Sequence, residues 1–194
     1  MENIGYHRAL NLAKAELAEK KPEEVAENTG VTWNGATYEV PWLGRLVPLE
    51  EGSIDEQIIW HHYMTAQGPK KPRDRYIAYK QVPGGAIYNS NFIKRSIQPM
   101  VDAFHANLDV FLERGLLLGG KKVSLGDMSF TLPVLPYVPL TFVIWQGDDE
   151  IPPNGNILFD ETAIEWFNAE DLVVIASLPV YKLLKMNAQR TMYV

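Results

Sequence analysis

The densest group of side chains that could do chemistry is acidic, and it directly follows an apolar run. Residues 140–145 are apolar at nearly every position, and Asp148, Asp149 and Glu150 come shortly after them. A short continuous apolar run is typical of a strand covered on both faces. The pattern therefore predicts a buried strand that delivers carboxylates to a loop.

Two interpretations of that acidic loop are open. Together with Asp160, the side chains of Asp148, Asp149 and Glu150 could bind a divalent cation through oxygen ligands or supply a general base. Alternatively the loop is a solvated turn in which Asp148 bonds backbone amides, because calcium loops need ligands at regular alternate spacing and this run lacks it.

The histidines are the second candidates for chemistry. His62 falls on the apolar stripe of a predicted helix, and His61 lies beside it at the edge of that stripe. His62 is either a buried histidine with one satisfied nitrogen or an acid–base group or metal ligand. His7 and His105 fall on other predicted helices, and the histidines form no HExxH or HxxxH pair, so the sequence does not support a zinc site.

A glycine pair and the aromatic residues complete the candidates. Gly84 and Gly85 follow Pro83 and could present backbone amides to an anion, or could simply form a turn, since the lysine of a P-loop and the third glycine of a dinucleotide fingerprint are absent. Five tryptophans and nine tyrosines suit either a core or a flat ligand such as a tetrapyrrole. The candidate ligand-binding residues are His62, Tyr79, Gly84, Gly85, Tyr88 and Trp145.

Composition limits the classes of function. The net charge of -6 disfavours nucleic acid and anionic membranes as partners, and we interpret the one basic stretch, residues 70–75, as a solvated loop. The chain has no cysteine, which excludes disulfides, thiolate catalysis and cysteine-ligated clusters. No signal-peptide pattern opens the sequence and no apolar run is long enough to span a membrane, so we expect a cytoplasmic protein.

The elements that must position these residues follow from periodicity and from breaking residues. Helices are predicted over residues 4–20, 22–29, 54–67 and 91–113, the last with a kink or restart at Pro99, and again after Asp160 and after Asn168. Strands are predicted over 31–33, 36–40, 45–49, 76–82, 128–134, 140–146 and 157–159, with a tight turn at Asn34-Gly35.

This order of elements indicates one α+β domain. An early β-hairpin meander, strands that do not alternate strictly with helices, and C-terminal helices favour a mostly antiparallel sheet over a doubly wound parallel one. We expect the domain to span residues 1–186, with residues 187–194 as a C-terminal tail.

Several separated phrases carry a resemblance to a known family. They are residues 78–88, with the sequence AYKQVPGGAIY, residues 145–150, with WQGDDE, and residues 156–160, with NILFD, followed by Glu170-Asp171-Leu172. In this order they resemble the prokaryotic family catalogued as domain of unknown function 3786. The resemblance implies an association with anaerobic bacteria and archaea. It also implies relatives that are joined to a cysteine-rich module of iron–sulfur type, so that in this cysteine-free chain any cluster or corrinoid chemistry would come from a partner.

Three hypotheses of function follow. The first is a non-catalytic accessory protein of anaerobic metabolism that binds a small molecule or cofactor in an aromatic-lined pocket. The second is an enzyme that uses the loop of residues 148–150 with a divalent metal and with His62. The third is a protein-interaction subunit, for example a homodimer through the edge of the hairpin at Asn34-Gly35.

Overall fold

The fold is that of a single α+β domain with antiparallel strands, as the sequence predicts, and these strands form two separate sheets. The computed structural model describes residues 4–191, and the side chains of residues 5–188. The strands are β1 (Thr32–Trp33), β2 (Tyr38–Trp42), β3 (Arg45–Pro48), β4 (Tyr76–Ala78), β5 (Lys121–Val123), β6 (Met128–Leu135), β7 (Val138–Trp145) and β8 (Asn154–Asp160). The helices are α1 (Ile4–Ala18), α2 (Pro22–Thr29), α3 (Ile54–Thr65), α4 (Gly85–Phe92), α5 (Gln98–Phe104), α6 (Leu108–Leu117), α7 (Ala163–Trp166) and α8 (Ala169–Thr191).

The larger sheet has the strand order β4-β8-β7-β6-β5 and is antiparallel throughout. Its central strand β7 is the buried strand that the apolar run predicts, since residues 140–144 are all almost completely buried. The ring of Phe142 stacks on that of its cross-strand partner Phe130, with centroids 5.3 Å apart. The row of rings continues through Phe111 of α6 to Phe104 of α5, so these two helices are fixed to the sheet by aromatic packing.

The smaller sheet, of order β1-β2-β3, corrects the predicted position of the tight turn. Asn34-Gly35 does not form a two-residue turn; the loop has four residues, because the Asn34 side chain accepts hydrogen bonds from the amides of Ala36 and Thr37. The two-residue turn instead joins β2 to β3 at Leu43-Gly44, where both residues have positive φ, 48° and 73°.

The strand predicted over residues 36–40 does not end before Pro41, as that prediction requires. Pro41 lies inside β2 and pairs with Leu46 of β3. The neighbouring strand β1 covers only Tyr38 and Glu39, so beyond that point β2 has a single partner and tolerates a residue without an amide hydrogen. Because β1 has only two residues, it presents few backbone groups to a second chain, and a homodimer through this edge stays a prediction.

Two predictions of where elements begin and end need correction. The strand expected over residues 76–82 ends at Ala78, and after a short 3₁₀ turn α4 begins at Gly85, earlier than the residue 91 expected from the sequence. Asp160 is not the N-cap of the next helix, because α7 begins only at Ala163. Residues 187–191 continue α8, and residues 192–194 lie outside the described part; the division into a domain of residues 1–186 and a C-terminal tail of residues 187–194 stays a prediction.

Three helix ends have the caps that their residue types favour. Ser53 and Glu56 form the capping box at the start of α3, and Gly30 ends α2 in the left-handed conformation with φ of 73°. Asn168 caps α8, since its Oδ1 accepts a hydrogen bond from the amide of Asp171 at 2.9 Å. Helix α8 packs against both α3 and α4, and α1 packs against α3.

Candidate functional site

Four helical segments enclose a cavity of about 460 Å³ on the helical side of the domain. They are α1, α3, the start of α8, and α4 with the five-residue π-helical segment Ile93–Ile97 that continues it. Its lining includes Asp55, Ile58, His62, Tyr88, Arg95 and Asp171. A cavity of this volume lies within the range of small-molecule sites.

A histidine and an aspartate meet at the wall of this cavity. His62 lies in the last turn of α3, and Asp171 is the third residue of α8, where the Asn168 cap fixes the backbone. His62 Nδ1 lies 3.0 Å from Asp171 Oδ1. Because an ionised carboxylate only accepts hydrogen bonds, Nδ1 is the donor, and Asp171 sets the tautomer and the orientation of the imidazole.

The environment of His62 favours its protonated form. The hydrogen bond to Asp171 raises the pKa of His62, and this effect outweighs burial, which lowers it; the charges of Asp171 and of Glu16 act in the same direction as the hydrogen bond. The side chain of His62 remains 34% exposed while that of Asp171 is 12% exposed. Nε2 of His62 has no hydrogen-bond partner among the described residues and is the nitrogen available to a ligand.

His61, the neighbouring histidine, has the opposite properties. It is buried, its Nδ1 lies 2.7 Å from the carbonyl oxygen of Gln57, and it borders a different cavity on the other side of α3. Burial lowers the pKa of His61, although the hydrogen bond to Gln57 acts against it. Of the two adjacent histidines, therefore, only His62 is placed to act on a ligand in the cavity of about 460 Å³.

The cavity also holds one guanidinium and two further carboxylates. Arg95 lies in the π-helical segment and has no ion-pair partner within the described part of the chain. Asp55 and Glu170 contribute the carboxylates and likewise form no ion pair there. π-Helical turns interrupt α-helices at a cost and are frequent at functional sites. The site can therefore offer a ligand a permanently charged guanidinium, the imidazole of His62 as a proton donor, and carboxylates as hydrogen-bond acceptors within one cavity.

The ligand-binding residues predicted from the sequence divide into two groups. His62 and Tyr88 are brought together on the cavity wall. Tyr79 is buried in the core, where its ring stacks on Phe92 and its hydroxyl donates to the carbonyl of Ala169 at 2.7 Å. The cavity wall does not include Gly84, Gly85 or Trp145.

The glycine pair has a structural explanation. Gly84 has φ of 78° and precedes the first residue of α4. A Cβ at Gly85 would lie 2.3 Å from the carbonyl oxygen of Tyr79, so only glycine fits there. Trp145 ends β7 with its side chain 41% exposed.

The acidic loop of residues 148–150 forms a solvated turn in which Asp148 bonds backbone amides, as the second interpretation of the sequence has it. Asp148 Oδ1 accepts hydrogen bonds from the amides of Ile151 and Glu150, at 2.8 and 2.9 Å, and these bonds lower the pKa of its carboxyl group. Asp149 and Glu150 are exposed. These contacts give a cation site no support, and the site stays a prediction.

Asp160, the fourth predicted metal ligand, is committed to backbone contacts. Its Oδ1 accepts from the amide of Arg73 at 3.1 Å and from the amide and hydroxyl of Thr162, and its Oδ2 accepts from the amide of Arg75 at 3.2 Å. Burial raises the pKa of Asp160, but the bonds from Thr162, Arg73 and Arg75 outweigh it, and the net pKa is lowered. Across the described residues, no group of three or more histidine, aspartate or glutamate side chains is arranged to hold a metal ion.

Sequence reasoning missed Asp171 and Arg95. Asp171 belongs to the Glu170-Asp171-Leu172 phrase of the family resemblance and to the helix predicted after Asn168, and neither pattern says anything about a histidine 109 residues away. Arg95 lies in a stretch with ordinary helical periodicity. The kink or restart predicted at Pro99 marks the irregular segment, since Pro99 has no amide hydrogen to donate to the carbonyl of Arg95, but it does not indicate that Arg95 lines a cavity.

The two antiparallel sheets and the helix-lined cavity with its histidine–aspartate pair define an α+β protein with a pocket of small-molecule size. The chain belongs to the family described as Domain of unknown function (DUF3786), whose model matches residues 21–182. That match includes His62, Tyr88, Arg95 and Asp171. No curated protein and no solved structure matches the chain. No helix among the described residues has the length and apolar character needed to cross a membrane.

Proposed function

We propose that this protein binds a small molecule or cofactor in the cavity between α1, α3, α4 and α8, and that His62, oriented by Asp171, anchors the ligand. The contact between His62 Nδ1 and Asp171 Oδ1 at 3.0 Å carries this proposal. A solvated surface histidine needs no partner, whereas a histidine held in one tautomer presents a defined donor or acceptor. The role as an accessory protein of anaerobic metabolism is the part of the proposal that rests on the family resemblance.

The lining limits the chemistry of the ligand. Ile58 and Ile59 provide apolar contact area, Tyr88 provides an aromatic ring with a hydroxyl, and Arg95 provides a cation suited to a carboxylate or phosphate. Asp55 and Glu170 suit an amine or hydroxyl donor. The volume of about 460 Å³ favours a ligand smaller than a tetrapyrrole or corrinoid that carries both an acidic group and hydrogen-bond donors.

The first experiment is native mass spectrometry of the protein purified without oxygen, together with a thermal-shift screen of small acids, amino acids, nucleotides and corrinoids. We expect either a bound species in the mass spectrum or a compound that raises the melting temperature. His62→Gln and Arg95→Gln should each lower the affinity for that ligand about tenfold or more, since each removes a charged or polar contact to it. His105→Gln is the matched control, because His105 does not line the cavity. The proposal fails if no compound binds, or if binding is equally strong in all three variants.

The same histidine–aspartate pair favours a second candidate, an enzyme in which His62 is a general acid or base. An aspartate bonded to Nδ1 leaves Nε2 to exchange a proton with a substrate, which is the arrangement in which a carboxylate positions a catalytic imidazole. This candidate replaces the predicted pairing of His62 with the loop of residues 148–150 by a pairing with Asp171. For any ligand found, conversion to a product that is lost in His62→Gln while binding is retained would establish catalysis; binding without conversion would leave the first proposal.

A further inference from the structure

A second cavity, of about 480 Å³, lies on the opposite end of α8 from the His62 site. It is bounded by the β2–β3 hairpin, the first turn of α3, the end of α6, and the C-terminal half of α8. Its lining residues include Trp42, Leu43, Arg45, Glu56, Leu178 and Lys185. None of these residues lines the cavity that holds His62.

The floor of this second cavity is apolar. Trp42, Leu118 and Leu178 belong to the hydrophobic core, yet each of them also lines the cavity. Leu43 is a buried leucine with φ of 48° in the two-residue turn, a backbone conformation that favours glycine or asparagine. A leucine nevertheless occupies this position, and the side chain of Leu43 forms part of the apolar wall of the cavity.

The rim of the cavity is basic although the chain as a whole carries a net charge of -6. Arg45, Lys182 and Lys185 line it, and Glu56 is its one carboxylate. Lys182 Nζ lies 2.9 Å from Glu56 Oε1, so this lysine is already neutralised. Arg45 and Lys185 form no ion pair within the described residues, and they leave the cavity with two uncompensated positive charges.

The single carboxylate has no capacity left for a ligand. Glu56 Oε1 also accepts from Trp42 Nε1 at 2.9 Å, and Oε2 accepts from both the amide and the hydroxyl of Ser53. These contacts saturate both oxygens, so Glu56 holds the wall together and does not offer a site for a cation.

We propose that this cavity binds a small organic anion with an apolar body, such as a medium-chain or aromatic monocarboxylate. The apolar body would cover Trp42, Leu43 and Leu178, and the acidic group would meet Arg45 and Lys185. The combination of an apolar floor with a basic rim on an acidic protein is complementary to that class of ligand and to neither a free inorganic ion nor a neutral hydrocarbon. This site is independent of the function proposed for the His62 cavity.

The test uses 1-anilinonaphthalene-8-sulfonate as a fluorescent organic anion and N-phenyl-1-naphthylamine as its uncharged counterpart. We expect the folded wild-type protein to bind the anion more tightly than the amine, octanoate to displace the anion, and salt raised from about 0.05 M to about 0.5 M to weaken binding. Arg45→Gln and Lys185→Gln should each lower the affinity for the anion about fivefold, corresponding to the loss of one charge contact each.

Two control variants separate the alternatives. Lys80→Gln removes an exposed charge that lines neither cavity, and His62→Gln alters only the first cavity; both should bind the anion as the wild type does. The inference is overturned if Arg45→Gln and Lys185→Gln bind the anion unchanged, if the uncharged probe binds equally well, or if His62→Gln is the variant that loses binding. Melting curves of every variant confirm that loss of binding is not loss of folding.

Discussion

The side chains of His62 and Asp171 meet at 3.0 Å although the two residues are 109 positions apart in the sequence. The contact joins the last turn of α3 to the first turn of α8, at the wall of the cavity that both helices border. It is thus at once a tertiary contact and the feature that gives the cavity a histidine with a fixed orientation. Both roles can be measured separately.

Replacing Asp171 with asparagine should lower the pKa of His62. The hydrogen bond to the carboxylate is the main cause that raises this pKa, and once it is weakened the lowering effect of burial is no longer outweighed. NMR titration of the imidazole protons in wild type and Asp171→Asn measures the change, with His105 as an internal reference outside the cavity. An unchanged His62 pKa would show that the pair does not form in solution.

The same pair should make stability depend on pH in a defined direction. The folded-state pKa of His62 is raised above the unfolded value, so its contribution is fully present below about pH 6.5, the ordinary histidine pKa, and is lost as pH rises through the folded pKa. Urea unfolding should therefore show a larger stability difference between wild type and His62→Gln at pH 6 than at pH 9. His61 is present in both proteins, so its own titration largely cancels. A difference that grows with pH would contradict the assignment.

Glu56→Gln should destabilise the protein by about 2 kcal/mol at neutral pH. Glutamine has a single acceptor oxygen, so its side chain leaves either Lys182 and Trp42 or Ser53 without an acceptor. Burial raises the pKa of Glu56, but the bonds from Lys182 and Ser53 outweigh it and the net pKa is lowered. The contribution is therefore present above the ordinary glutamate pKa of about 4.3 and is lost as pH falls through the folded value.

Chemical unfolding of Glu56→Gln and wild type at pH 7 and at about pH 3 checks this prediction. Glu51→Gln is the control, because Glu51 is exposed and its side chain forms no hydrogen bond or ion pair with the described residues. The stability gap for Glu56→Gln should narrow in acid, and a gap that is constant across this range would mean that the ionised form is not what the contacts stabilise.

The sequence predicted the features that depend on neighbouring residues. The capping box of Ser53 and Glu56, the glycine that ends α2 and the buried strand β7 all follow from local patterns, and the structure has them. The errors occur where a side chain competes with the expected backbone geometry. The side chain of Asn34 bonds the amides of its own loop, so no tight turn forms there. Pro41 is tolerated in β2 because the pairing of β2 with β1 ends two residues earlier, at Glu39.

The candidate site was predictable only in part, for a physical reason. His62 and Tyr88 could be singled out by type and by position on a predicted element. Asp171 and Arg95 could not, since the approach of α3, α4 and α8 depends on how the whole core packs. Asp160 was selected for its charge, but its oxygens bind amides of the loop that precedes β4, a contact 85 to 87 residues away in the sequence.

Asp160→Asn should lower the free energy of unfolding by about 2 kcal/mol, because both carboxylate oxygens accept buried or half-buried donors and an amide can replace only one of them. Asp148→Asn is the matched control: only its Oδ1 accepts hydrogen bonds, and asparagine retains that oxygen, so the change should stay within about 0.5 kcal/mol.

Thermal unfolding with magnesium, calcium or manganese and with chelator distinguishes this role from the predicted cation site. A melting temperature that rises with one of these metals, and does so only while Asp148 and Asp160 are both present, would favour the cation site.

Gly115 allows α6 to approach β6 closely, and alanine at this position should destabilise the protein even though alanine favours a helix. A Cβ there would lie 2.5 Å from Cε1 of Phe130, a ring already packed between Phe111 and Phe142. We expect Gly115→Ala to cost about 2 kcal/mol net, since overpacking exceeds the gain of up to about 1 kcal/mol in helix propensity. Phe130→Leu removes the clashing part of the ring, so the double variant should be more stable than the sum of the single effects predicts, by at least about 1 kcal/mol. Chemical unfolding of the four proteins gives this coupling energy, and strictly additive effects would show that the helix and strand are not in such close contact.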